Sequence, residues 1–419
     1  MKNKIRLTLM CILLAFSILL NLVSCGVANA ISAKDLMEGI EAREVNEREA
    51  DDDFVNNQMA LSLKLFKESS KESKGKNVLV SPLSVQLALA MTANGAEGKT
   101  RAEMETLLGG EIDLEKLNEY LYTYIKNLPS EEKSKLEIAN SIWFKSGEIT
   151  VNDSFLQTNK DYYDASVYEA DFDKNTVKDI NSWVNQNTDG MIEKIVDEID
   201  EETIMYLINT IMFDAEWSVK YKEESIREGE FTSIDEKIQK VDMMRSTEGI
   251  YIETENAIGF KKNYKGGKYG FVALLPNESI NIHDFVNSLT ETELLYALEN
   301  ASHETVYATM PKFKYEYELN MNEVLKALGM ATAFEEGKAE FNGMGQTEYG
   351  MYIGKVLHKA FISVDEAGTR AGAVTSVAMD GNAAPMEPKT VKLDRPFFYM
   401  IIDNETNLPI FIGTLTTVK

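Results

Sequence analysis

The sequence predicts an α+β fold, and three observations carry that prediction. Helix-period and strand-like segments are mixed along the chain and do not alternate strictly, which disfavours a doubly wound sheet. Several apolar runs have strand length and are bounded by turn residues. The chain closes on DRPFFYMIIDNETNLPIFIGTL, which has the pattern of a hairpin.

The first segment, residues 1–24, reads as an export signal. Lys2, Lys4 and Arg6 precede the apolar run Leu7–Leu20, which is too short and wrongly flanked for a stable span. The next residues, Leu22-Val23-Ser24-Cys25, resemble a bacterial lipobox, in which Cys25 becomes the lipidated first residue. An ordinary signal peptide cleaved nearby is the alternative. Acyl chains on Cys25 would anchor the protein to a membrane surface, each buried CH₂ adding about 0.8 kcal/mol. Residues 25–53 are rich in acids and end in Asp51-Asp52-Asp53. They read as a solvated tether with a short helix around Leu36 and Ile40. The compact domain, 54–419, begins at Phe54.

Within it, Asn56–Glu68 places Met59, Leu63 and Phe66 at helical spacing. Asn77–Val80 is a short strand leading to Ser81-Pro82, an N-cap serine with proline at the first helical position. The helix Leu83–Ala93 is apolar almost all round, hence buried, and Asn94-Gly95 ends it. Glu103–Leu108 and Leu114–Ile125 are further helices, Leu136–Phe144 a strand, and Val177–Val196 a helix broken near Gly190. Thr203–Phe213 is a strand whose apolar run contains Asn209. Phe271–Pro276 and Val306–Phe313 follow as strands, and Leu319–Leu328 as a helix capped by Gly329.

Composition narrows the function. With 43 basic and 68 acidic residues the net charge is −25, which disfavours nucleic acid and anionic membrane surfaces as partners. The two cysteines, Cys11 and Cys25, lie in or beside the signal, so the mature chain has no internal disulfide and no cysteine metal site. No metal or cofactor is called for.

The most informative stretch is His358–Ala384, HKAFISVDEAGTRAGAVTSVAMDGNAA. Val356, His358, Ala360, Ile362 and Val364 alternate with Leu357, Lys359, Phe361, Ser363 and Asp365, as in a strand. From Glu366 bulky residues stop. Thr369, Ala371, Ala373 and Thr375 form one two-residue series; Arg370, Gly372, Val374 and Ser376 form the other. As a strand, the segment would turn only small side chains from the first series to one face, as insertion between packed neighbours requires. A flexible Ala/Gly loop is the alternative.

Catalytic motifs are scarce. Ala93–Thr100 reads AxxxxGKT, but the first glycine of a P-loop is missing and a buried helix, not a strand, precedes it. GxSxG, HExxH, CxxC and GxGxxG are absent. His283 and His303 sit among polar residues and read as exposed. His358 lies on an apolar face and needs a polar partner, as does Asn209; Ser81 and Ser84 complete a cluster. A Ser/Asn/His cluster is either a hydrolase site or a hydrogen-bonded clasp across a sheet.

These residues resemble the serpins over nearly the whole domain, from Phe54 to the C-terminus. NVLVSPLSVQLALAMTANGAEGKTRAEM (Asn77–Met104) is followed in family order by IANSIWF, INSWVNQNTDGMIEKIV, LINTIMFDAEWSVKY, VDMMRSTEGIY, VALLPNES and MPKFKYEYELNMNEVLKALGM. HKAFISVDEAGTRAGA and the final hairpin complete the series. The resemblance implies an α+β serpin fold of three β-sheets with eight or nine helices and an exposed reactive-centre loop at about 366–392. It assigns Ser81, Ser84, Asn209 and His358 to the shutter that governs opening of the central sheet, and Trp217 to the breach where the loop first enters. Glu366, Gly368, Thr369, Arg370, Ala371, Gly372 and Ala373 become the hinge. Counting forward from Glu366 gives Asn382–Ala383 as the scissile bond, within a window from Met379 to Ala384. Arg370 and Val374 depart from the family's usual residues, both in the series expected to face outward.

The implied activity is suicide-substrate inhibition of an endopeptidase, with a target protease as partner, no cofactor, and a monomeric chain that is not an enzyme. The uncharged bait implies elastase- or subtilisin-like serine proteases, with papain-like cysteine proteases as an alternative. A non-inhibitory binding or chaperone-like surface protein is the other reading.

Overall fold

The structure, a computed structural model, describes residues 31–73, 75–128, 133–199, 203–348, 350–369 and 387–419. Its largest sheet has seven strands in the order β1 (Lys34–Asp35), β5 (Ser166–Ala170), β3 (Ser134–Lys145), β6 (Met205–Glu216), β16 (Gly368–Thr369), β15 (Lys355–Val364) and β13 (Phe313–Asn320). A six-stranded sheet runs β2 (Val78–Val80), β19 (Pro409–Leu415), β18 (Phe397–Asp403), β11 (Tyr269–Pro276), β10 (Ala257–Asn263) and β9 (Tyr251–Glu253). A four-stranded sheet runs β17 (Lys389–Lys392), β12 (Val306–Pro311), β8 (Ile238–Glu248) and β7 (Ile226–Thr232). The strands β4 (Thr150–Val151) and β14 (Gly345–Gln346) form a small ribbon. Nine α-helices surround these sheets among the described residues. The expected α+β architecture of three main sheets is present.

The core sits where the six-stranded sheet meets the central one. Every residue of β11, β18 and β19 is buried, which explains their unbroken apolar runs. The helix Pro82–Ala93 lies between these sheets and buries all twelve residues. Its N-cap is Ser81, whose Oγ accepts from the Ser84 amide at 3.3 Å, with Pro82 in the first turn where no N–H is needed. A second apolar cluster covers the opposite face of the central sheet, where the helix Lys174–Asn187 lays Ile180, Trp183 and Val184 against Trp143, Tyr206 and Ile208.

The structure corrects four sequence-based expectations. Residues 31–53 are not a solvated tether. They form a strap that begins by pairing β1 with the edge strand β5. The Ser32 amide, Ser32 Oγ and Ala33 amide then donate to one carboxylate oxygen of Asp179, at 3.0, 2.6 and 2.8 Å. Further along, the Arg43 amide reaches Asp161 and the Arg48 guanidinium reaches Glu119, while Tyr120 donates to Asp51. The acidic residues that read as solvation are exposed, some of them pairing with the domain as Asp51 does, while the strap backbone satisfies an otherwise open sheet edge. No helix forms at Leu36–Ile40; a turn closes there, with the Ile40 amide donating to the Met37 carbonyl at 3.1 Å.

The helix expected at Val177–Val196, broken near Gly190, stops at Asn187 and does not resume. The next stretch keeps Ile192, Ile195 and Val196 buried without helical geometry because Asn181 captures its backbone. Asn181 Oδ1 accepts from the Ile195 and Val196 amides and Nδ2 donates to the Val196 carbonyl. A strand over Val306–Phe313 is in fact two, β12 and β13, in different sheets. Finally, the helix expected from Leu319 begins at Asn322, because Leu319 and Asn320 still pair with His358 and Leu357 in β13.

Candidate functional site

The central sheet is split. Strands β6 and β15 pair in parallel only from Lys355↔Tyr206 to Lys359↔Thr210. Beyond that rung, Ile211–Asp214 of β6 pair with β3 on one side, and Ala360–Ser363 of β15 pair with β13 on the other. Between these two segments the described ladder is open. The chain returns to close it only at the far end, where Gly368 and Thr369 form β16, antiparallel to both neighbours (Gly368↔Glu216, Thr369↔Ala215, Val364↔Thr369). At Gly368 a Cβ would lie 2.0 Å from the Ala215 carbonyl oxygen, so glycine is required for the strand to enter.

The predicted shutter residues meet at the closed end of the split. His358 and Asn209 are a cross-strand pair, and both are fully buried. The Ser81 amide donates to His358 Nε2 at 3.3 Å. A backbone N–H can only donate, so Nε2 carries the lone pair and the ring proton sits on Nδ1. Nδ1 then donates to Asn209 Oδ1 at 3.2 Å. The Asn209 amide group passes its hydrogens to the Ser84 carbonyl and, at 2.7 Å, to Asn140 Oδ1. Burial drives the His358 pKa down to about 4, partly offset by the nearby Leu79 carbonyl, so the ring is neutral at pH 7. Ser84 contributes its backbone; its hydroxyl is buried without a hydrogen-bond partner among the described residues. Of the two readings of this cluster, the geometry is that of a clasp: the imidazole's two nitrogens are committed to a backbone amide and a carboxamide, not to a hydroxyl nucleophile. Asn140 was missed, although it is an asparagine within an apolar strand, the signal that marked Asn209.

The residue expected to mark the breach, Trp217, lies at the other end. Trp217 follows β6 and is buried, its ring stacked on Tyr264 with centroids 4.5 Å apart. Its indole N–H donates to the Asp365 carbonyl at 2.8 Å and its amide to the Ala367 carbonyl at 2.9 Å, while the Tyr221 amide donates to the Glu366 carbonyl at 3.0 Å. Thr369 is buried, with its hydroxyl 2.6 Å from that of Tyr264. Glu366 pairs with Lys312 at 2.7 Å, and the hydrogen bond from that lysine holds its carboxyl below the usual range. Tyr264 and Lys312 carry no sequence signal of this role because their partners are distant in the chain.

Glu366, Gly368, Thr369 and Trp217 are therefore brought together at this end of the sheet. Arg370, Ala371, Gly372, Ala373, the Asn382–Ala383 bond and Cys25 lie outside the described residues. His283 and His303 are exposed, away from this site. Among the described residues, no group of three or more His, Cys, Asp or Glu is placed to hold a metal, and no helix is long and apolar enough to cross a membrane.

Fold and site together define a protein whose central sheet is split over part of its length and closed at one end by Gly368 and Thr369 of its own chain. A family model described as Serpin (serine protease inhibitor) matches residues 56–418. An uncharacterised serpin-like protein of Thermococcus kodakarensis is 32% identical over 374 residues, covering 87% of this chain and 86% of that one. Among solved structures, the thermophilic serpin tengpin in its native state is 52% identical with a TM-score of 0.88, covering 92% of this chain and 99% of that one. The same serpin in its latent state is 51% identical with a TM-score of 0.80, covering 89% and 100%. The chain belongs to the serpin family, which suggests protease inhibition and implies a target protease as partner. Its overlap is greater with the native than with the latent form of that relative.

Proposed function

We propose that this serpin is a suicide-substrate inhibitor of endopeptidases that traps the acyl-enzyme by drawing its own cleaved loop into the split sheet. The observation that carries the proposal is the register of β16. Each step along the loop from Thr369↔Ala215 is one step back along β6. Arg370 would then fall opposite Asp214, Ala371 opposite Phe213, Thr375 opposite Asn209, and Met379 opposite Met205, where β6 begins. Ala371, Ala373 and Thr375 would share the inward face of Thr369, over the core side of β6, where only small residues fit. Arg370 would face out beside Asp214, a charge of opposite sign.

Insertion would replace a short parallel ladder with antiparallel pairing on both flanks, the more stable arrangement per residue. About ten new ladder bonds at about 0.5–1.5 kcal/mol each give a driving force on the order of 10 kcal/mol. A strand of that length spans roughly 34 Å, enough to carry an attached protease along the sheet. Serpin loop insertion is itself a standard example of strand addition and order–disorder switching. The acyl-enzyme ester between the protease nucleophile and the bait carbonyl would be held before water completes its hydrolysis.

The bait sequence, with no basic residue between Arg370 and Lys389, favours elastase- or subtilisin-like serine proteases. The signal and Cys25 favour export and anchoring of the acidic chain through lipid. Incubation of the purified chain with subtilisin or elastase, followed by a denaturing gel and mass measurement of the released peptide, tests the reading. A complex that survives denaturant, with cleavage between Met379 and Ala384, is expected. Cleavage without complex across a panel of such proteases would instead favour a non-inhibitory binding protein.

A further inference from the structure

One face of strand β10 carries the buried Phe260 and Lys262, and the buried Tyr264 continues that phase just past the strand's end. A lysine in that phase is unexpected: Lys262 is 2% exposed. Its ammonium pairs with Glu248 of β8 at 2.7 Å and lies 4.6 Å from the ring centre of Tyr221 and 5.5 Å from that of Trp217. A buried ion pair seldom stabilises more than apolar side chains of similar volume would, so its value has to be sought in what it positions. Here that is clear from the neighbours. The two rings that flank the ammonium belong to the two residues that hold three consecutive hinge carbonyls, those of Asp365, Glu366 and Ala367.

We infer that Lys262 is a positioning residue for the hinge: its ammonium, fixed by Glu248, packs on the Trp217 and Tyr221 rings, holding the Trp217 indole N–H on the Asp365 carbonyl and steadying the two backbones whose amides meet the Ala367 and Glu366 carbonyls at the mouth of the split sheet. The clamp ties the four-stranded sheet, through Glu248, and the six-stranded sheet, through Lys262, to the point where loop insertion begins. Without the charge the indole can turn from the Asp365 carbonyl and the backbone of Trp217 and Tyr221 loses a packing anchor, so the three carbonyls are held less of the time and the first rung of insertion is formed less often when the loop is cut. The functional consequence rests on the insertion mechanism proposed above; the clamp itself is a property of the uncut protein.

The test is amide hydrogen exchange on the intact chain, comparing wild type with Lys262→Met and Lys262→Arg. The methionine variant is expected to speed exchange at the Trp217 and Tyr221 amides by about tenfold, the weight of a desolvated cation–π contact. The amides of Phe271–Leu275 should be unchanged, and the arginine variant should restore protection. Loop cleavage by subtilisin should then be followed by insertion about threefold slower or more in the methionine variant, read from Trp emission. If Lys262→Met does not fold, the paired variant Lys262→Met, Glu248→Met removes both charges and is read in the same way. Unchanged protection of Trp217 and Tyr221 in whichever of these variants folds overturns the clamp. A protein that forms no protease complex yet shows the exchange difference would sink the inhibitor reading and leave the clamp standing.

Discussion

The Ser81 amide donates to Nε2 of His358, and this bond sets the tautomer of a histidine buried where the two halves of the central sheet meet. A proton added to Nε2 would face the Ser81 N–H donor to donor. The clasp that keeps β6 and β15 together therefore works only with a neutral ring.

Stability should depend on pH through His358. Its pKa is near 4 in the folded chain against about 6.5 unfolded. Between those values the unfolded chain binds a proton that the folded chain refuses, so stability rises with pH across this window and is lost as the pH falls through it. The full loss is about 3 kcal/mol. Denaturant titrations from pH 7 to pH 4 should show it, and a His358→Asn variant should flatten that part of the curve. An unchanged slope in the variant would place the titration elsewhere.

Asn209→Leu should weaken the shutter more than volume alone predicts. It leaves His358 Nδ1, the Ser84 carbonyl and Asn140 Oδ1 without the partners they now have. Leaving a buried polar group unpaired costs about 1–3 kcal/mol. A loss of about 3 kcal/mol or more and faster spontaneous sheet opening are expected in equilibrium unfolding and in native gels over time.

On the proposed mechanism, Thr369→Arg should leave the chain a substrate that no longer traps its protease. The Thr369 side chain is buried against Tyr264, where a guanidinium has neither room nor a partner. The variant should be cleaved at the wild-type rate but yield no stable complex, and the cut product should gain little thermal stability over the intact chain. Complex formation at wild-type yield would mean that insertion does not pass through this rung.

Asp179→Ala should free the beginning of the strap. Three donors from Ser32 and Ala33 converge on that carboxylate, and hydrogen bonds to a charged group are worth about 1.5–3 kcal/mol each. Limited proteolysis should cut residues 31–53 sooner in the variant, with the helix Asp52–Glu72 still protected. Equal cutting rates would show that the strap is held mainly by its later contacts.

Much of this site was legible in the sequence because polar residues inside apolar runs must find one another. Asn209 and His358 stood out in that way, and the N-cap pattern at Ser81-Pro82 put a helix mouth within reach. Of the run of small residues read as a hinge, Gly368 lies among the described residues and needs its missing Cβ. What escaped was set by partners remote in the chain. Lys312, Tyr264 and Lys262 look like ordinary strand residues until the fold places Glu366, Thr369 and Trp217 beside them. The strap was misread because its acids suggested solvation, whereas its backbone, Ser32, Arg48 and Asp51 make contacts with the domain. Asn181 shows the same limit: one side chain holding three backbone groups keeps Ile195 and Val196 out of the helix that apolar spacing would have resumed after the break.

The measurement that tests the central claim most directly is amide exchange at Ile211–Asp214 and Ala360–Ser363 before and after the loop is cut by subtilisin. If the cleaved loop becomes the missing strand, the amides that point into the split should gain protection by orders of magnitude, and the thermal midpoint should rise sharply. If those amides exchange equally fast in cut and uncut protein, the split sheet is not where the loop goes, and the account of trapping by insertion is wrong.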